Sequence, residues 1–65
     1  MKNEKRIHAA QVAMDAYEDT KTTFSNSHEE NLIDLMTDLR HWCKENSVSF
    51  DYAVRVSLSH FEDEK

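Results

Sequence analysis

The chain contains no glycine and no proline, and a single cysteine among its 65 residues. Without Gly or Pro it lacks the usual residues of tight hairpin turns and of loops that cradle phosphate. One Cys forms no intrachain disulfide and fits a reducing compartment. Long hydrophobic runs are missing as well. The stretch Ile7–Ala16 is broken by His8, Gln11 and Asp15, so neither secretion nor a membrane span is supported, and a cytoplasmic location is expected. A chain this short makes one domain at most, here residues 1–65. It has no room for a catalytic cleft between lobes or a nucleotide-binding βαβ pair.

Positive charge is scarce too. Eight Lys and Arg stand against thirteen Asp and Glu, for a net charge of −5. The deficit is spread, with −1 over residues 1–20, −2 over 21–46 and −2 over 47–65. No segment forms the basic patch through which a nucleic-acid binder neutralises phosphates, so direct DNA or RNA binding is disfavoured. An acidic membrane surface would repel the protein for the same reason.

What is present is helical periodicity, and the expected fold is an all-α, small three-helix domain. Ile7, Ala10, Met14 and Tyr17 recur on one face of a segment spanning about 3–19, with Asn3 placed to cap it. Its acidic end (Asp15, Glu18 and Asp19) opposes the helix dipole, so it should fray or be held by packing. Residues 20–27 read as a hydroxyl-rich linker in which Phe24 staples the link to the core. Ser27 and Glu30 form a capping-box pattern opening a second helix over about 28–45. Leu32, Leu35, Met36, Leu39, Trp42 and Cys43 line its apolar face. Asn46 is the expected stop, because Asn tolerates the left-handed conformation that glycine usually supplies. Ser49 opens a third helix over about 50–62, with Phe50, Ala53, Val54, Ser57, Leu58 and Phe61 on one face. Residues 63–65 read as a solvated tail. The short link predicts an antiparallel hairpin of helices two and three, crossed by the first helix.

Ile33, Tyr52 and Val56 lie off these main faces. Scattered surface apolar residues are ordinary. The other reading is a second apolar surface used for a homodimer or for a partner protein.

Catalytic and metal chemistry find little footing. His41 and Cys43 are two residues apart and point to different sides of a helix, and Cys43 with His60 makes too few ligands. Cys43 sits on the apolar face, where burial makes a thiol inert. No metal, cofactor or enzymatic activity is expected. Glu30, Asp34, Asp38, His41 and Glu45 form a stripe on helix two, with Arg40 and Lys44 flanking it as its neutralising cations. Acids four residues apart rise about 6 Å along the axis, close to the spacing of phosphates on a nucleic-acid strand. Such a stripe can imitate one and enter a basic groove. A solvated helix face accounts for the same pattern.

The run Leu35-Met36-Thr37-Asp38-Leu39-Arg40-His41-Trp42-Cys43, then Phe50-Asp51-Tyr52-Ala53-Val54-Arg55 and His60-Phe61-Glu62, resembles a group of small proteins carried by phages, plasmids and integrative elements. They read roughly L-x-T-D-L-R-H-W-C, F-D-x-A-x-R and a closing H-F/Y-x-x-E. The resemblance covers about residues 32–62. Where that pattern often has a glycine between the helices, this chain has Asn46-Ser47. It implies a mobile-element accessory protein and no particular activity, with Asp38 and His41 first among the partner contacts.

The expected function is therefore protein–protein binding, with a host-defence nuclease or its nucleic-acid-binding subunit as the target that charge mimicry points to. Glu30, Asp34, Asp38 and His41 would supply the charged contact, and Ile33, Tyr52 and Val56 the apolar anchors. One alternative is a homodimeric regulator touching DNA through Lys2, Lys5 and Arg6. Another is a structural or assembly component of a virion or plasmid system.

Overall fold

The computed structural model describes residues 3–21 and 27–64. Among them are three α-helices and no strand: α1 (Glu4–Glu18), α2 (His28–Glu45) and α3 (Phe50–Glu64). The all-α reading holds, and the start and end of α2 fall where the capping signals put them. Most of the expected linker, Phe24 included, lies outside the described residues.

The helix ends show how a chain without glycine punctuates itself. Ser27 Oγ accepts from the Glu30 backbone N–H at 3.1 Å, and Ser49 Oγ accepts from the Tyr52 N–H at 3.1 Å. Each satisfies one of the free donors at a helix start. Asn3 does not act this way, since it precedes α1 without a side-chain cap hydrogen bond.

The stop of α2 also differs from expectation. Ser47, not Asn46, takes the left-handed conformation, at φ 58°. The Val48 N–H reaches back to the Cys43 carbonyl at 2.8 Å and the Ser47 N–H to Lys44 at 3.5 Å, the paired bonds of a Schellman motif. Asn46 has a different task. Its backbone N–H and its side-chain Nδ2 both donate to the Trp42 carbonyl, which holds it near φ −101°. The helix therefore ends at Glu45 as expected, with Asn46 as its cap, and only the left-handed residue is shifted, to Ser47. The expected tail is helical as well, for Asp63 and Glu64 continue α3.

Ties between helices gather at three corners. Tyr17, Glu18 and Lys21, at the end of α1, meet Asn31, Asp34 and Asp38 of α2. Arg40 of α2 meets Phe50 and Asp51 beside the α2–α3 turn. Arg6, near the start of α1, meets Glu64 at the end of α3. A 15-residue α1 is about 22 Å long at 1.5 Å per residue. It therefore bridges from the N-terminal half of α2 to the far end of α3. These contacts establish the turn of the expected hairpin and not an antiparallel packing along its length.

The outcome is a flat, open triangle measuring 37 × 33 × 16 Å. Its thickness is little more than one helix with side chains, about 10–12 Å. The radius of gyration of 13.4 Å exceeds the roughly 11 Å of a compact chain of this length. A single layer has nothing to bury its apolar faces against. Cys43, at 7% exposure, is the one buried apolar residue among those described. The faces expected to form the core stay open: Ile7, Leu32, Leu39, Trp42, Val54, Leu58 and Phe61 are all exposed.

The strained turn residue generates a prediction. A left-handed non-glycine residue costs about 1–2 kcal/mol, while glycine loosens the unfolded chain by about 0.4–1 kcal/mol. Ser47→Gly should therefore raise stability by about 0.5–1 kcal/mol, read as a higher urea midpoint at fixed protein concentration. A lower midpoint would show that the turn is not under strain.

Candidate protein-binding surface

The best-built polar cluster is the α1–α2 corner. Asn31 is buried at 7% exposure, and its amide is satisfied on both sides. Nδ2 donates to Glu18 Oε2 at 3.2 Å, and Oδ1 accepts from Lys21 Nζ at 3.3 Å. Lys21 Nζ also donates to Asp34 Oδ2 at 2.5 Å and lies 5.4 Å from the centre of the Tyr17 ring. Tyr17 in turn donates its hydroxyl to Asp38 Oδ2 at 2.5 Å. The acidic end of α1 is thus held by packing, with Lys21 supplying the cation that its last turn lacks.

This corner takes two residues out of the expected acidic stripe. Asp34 and Asp38 are turned onto α1, where Lys21 and Tyr17 engage them. The neutralising cation is Lys21, not Arg40. Arg40 pairs with Asp51 at 3.3 Å and stacks 4.4 Å from the Phe50 ring, on the opposite side of the apolar stripe. Glu30 and His41 remain outward, and their side chains have no hydrogen-bond or ion-pair partner among the described residues. The charged groups of the expected stripe that stay outward on α2 are therefore Glu30 and His41, with Glu45 one turn further along.

The apolar anchors are placed differently from one another. Ile33 is exposed beside Glu30 on α2, and its carbonyl accepts from the Thr37 hydroxyl at 2.9 Å. Tyr52 is exposed on α3 with the Arg55 guanidinium 5.3 Å from its ring centre. Val56 is half-buried. On helical wheels at about 100° per residue, Ile33 and Tyr52 face away from the Leu/Trp and Phe/Leu stripes. They are not brought into one patch with Asp34 and Asp38.

Reading the sequence missed Tyr17, Lys21 and Asn31 as a cluster. Their signal was available: Asn31, Asp34 and Asp38 follow at helical spacing along one edge of the apolar face, and Tyr17 and Lys21 are themselves four apart. The third corner is weaker, since Arg6 pairs with Glu64 at 2.6 Å from an exposed position. Beside it lies a groove of about 430 Å³ between α1 and α3, lined by Ile7, Ala10, Ser57, His60 and Phe61 among others. Ser57 and His60 both line it, but the Ser57 hydroxyl donates to the Val54 carbonyl at 2.7 Å. No three His, Cys, Asp or Glu side chains gather as a metal site among the described residues. Nor, among them, is any helix long and apolar enough to cross a membrane.

The Tyr17–Asp38 hydrogen bond sets a pH signature. Donation to the Asp38 carboxylate, reinforced by desolvation and by the negative charges of Asp38 and Asp34, pushes the Tyr17 phenol up to about 12. The folded value lies above the unfolded value of about 10. The contribution is therefore whole below about pH 10 and is lost as pH rises through about 12. Ultraviolet titration of the wild type should show a phenolate component near 12 that Tyr17→Phe removes and Asp38→Asn moves toward 10. A titration unchanged by Asp38→Asn would break the assignment.

No family model, no curated protein and no solved structure matches the chain.

Proposed function

We propose that this is a small acidic protein of mobile-element type that acts by binding another protein rather than by catalysis. The observation that carries the reading is the exposure of large apolar side chains on all three helices of an acidic chain. Exposed apolar area of this extent marks interaction surfaces in folded proteins.

The partner surface we favour is the outward side of α2, with Glu30, His41 and Glu45 as the charged contact and Ile33 as its apolar anchor. Tyr52 and Val56 extend the same role to α3. Asp34 and Asp38 take part by fixing α1 against α2, so that they position the surface more than they touch the partner. A basic groove of the kind that holds nucleic acid in a host-defence nuclease suits this charge, and occupying it would block access by the natural substrate. The DNA-regulator alternative has less support, because Arg6 is tied to Glu64.

The test is binding to purified host-defence nucleases at rising salt. Affinity should fall with ionic strength, and Glu30→Lys combined with Glu45→Lys should weaken binding at least tenfold, about 1.4 kcal/mol. Affinity indifferent both to salt and to this double reversal rejects charge mimicry.

A further inference from the structure

The chain exposes 5908 Å², whereas a compact monomer of 7.7 kDa exposes about 4,300 Å² by size scaling. The surplus is about 1,600 Å² per chain. Its source is the single-layer triangle, whose three helices turn their apolar stripes toward the open centre.

The wheel positions show this. On α2 the α1 contacts (Asn31, Asp34 and Asp38) lie to one side of the Leu/Trp stripe and the α3 contact (Arg40) to the other. The stripe itself looks into the gap between α1 and α3. Trp42 is 56% exposed there, and Leu58 and Phe61 on α3 are 57% and 59% exposed.

We propose that this inner apolar rim is covered by a second copy of the same chain, giving a two-layered homodimer that is the folded unit of the protein. Two arguments select a second copy over another partner. The first is area: if each chain buries about its own surplus, the interface totals about 3,000 Å², inside the 2,000–5,000 Å² range of obligate homodimers. The second is charge. The rim residues Ile7, Leu32, Leu39, Trp42, Leu58 and Phe61 are uncharged, the Arg6 and Glu64 side chains that also line the groove neutralise each other as an ion pair, and the carboxylates of Glu30 and Glu45 lie on the far side of α2. Two copies at −5 each can therefore meet through the rim without setting acidic groups against each other, and a basic partner gains nothing there. The groove of about 430 Å³ between α1 and α3 is roomy enough to seat an apolar side chain of the second copy.

This inference draws on the same exposed apolar side chains as the host-partner reading, but its test uses the protein alone, so either can fail without the other. Sedimentation equilibrium over a dilution series, with far-UV circular dichroism at each concentration, should give twice the chain mass and a loss of helix as the mass falls. Acrylamide quenching of Trp42, the only tryptophan, should be at least twofold weaker in the dimer than after dilution. Leu58→Lys should raise the dissociation midpoint at least tenfold, and Ile33→Glu, outside the rim, should leave it unchanged. A fully helical monomer across the series overturns the proposal, as does a trimer or larger species. A dimer in which Trp42 stays fully quenchable, or which only Ile33→Glu disrupts, places the interface elsewhere and overturns it equally. The quenching readout needs no variant and decides the matter even if Leu58→Lys fails to fold.

Discussion

An amphipathic helix hides its apolar stripe only against another element, and this chain arranges three such helices in one layer. Everything else in the structure follows from that shortage of cover. Cys43 finds a buried place because the α2–α3 turn folds back over it through the Val48–Cys43 hydrogen bond. Leu32, Leu39, Trp42, Leu58 and Phe61 have no comparable neighbour. The stability that hydrophobic burial normally supplies, about 25 cal/mol per Å², is largely unspent in the single chain.

What holds the triangle open is polar. Lys21–Asp34 with its Asn31 node, Arg40–Asp51 and Arg6–Glu64 tie the corners. Pairs between exposed ions are worth about 0–1 kcal/mol each and weaken with salt. Lys21–Asp34 is the better protected, because the Lys21 side chain is only 17% exposed and shares Asn31 with Glu18. Such ties fix direction more than they supply stability. They orient α1 and α3 so that the apolar stripes look inward and the free carboxylates of α2 look outward. The two surfaces are thus chemically distinct: an uncharged rim, which we propose for self-association, and an acidic ridge, which we propose for a basic partner.

Local features were the most legible part of the sequence. Ser27 and Ser49 cap their helices as hydroxyl residues before apolar runs should, and α2 occupies 28–45 as its periodicity predicts. The neighbourhood of Asn46 was half legible. A left-handed stop was required, but which residue supplied it depended on the Asn46 side chain bonding the Trp42 carbonyl, a choice that residue preference does not encode. Packing was the least legible. Periodicity identifies a face without saying what lies opposite, so the stripe of α2 read as core although it borders an open centre. Likewise Asp34 and Asp38 read as solvated acids until Tyr17 and Lys21 were found beside them. Pairing across 13 or 21 residues of sequence leaves no mark in either helix alone.

Amide hydrogen exchange measured at two protein concentrations bears most directly on the claim that a single chain cannot cover its own apolar faces. Protection in the middle of α2, around Leu35–Leu39, should rise with concentration, because only a partner layer removes that stripe from water. Full protection that is independent of concentration would contradict the account, since it would mean that the lone triangle is stable with its centre exposed.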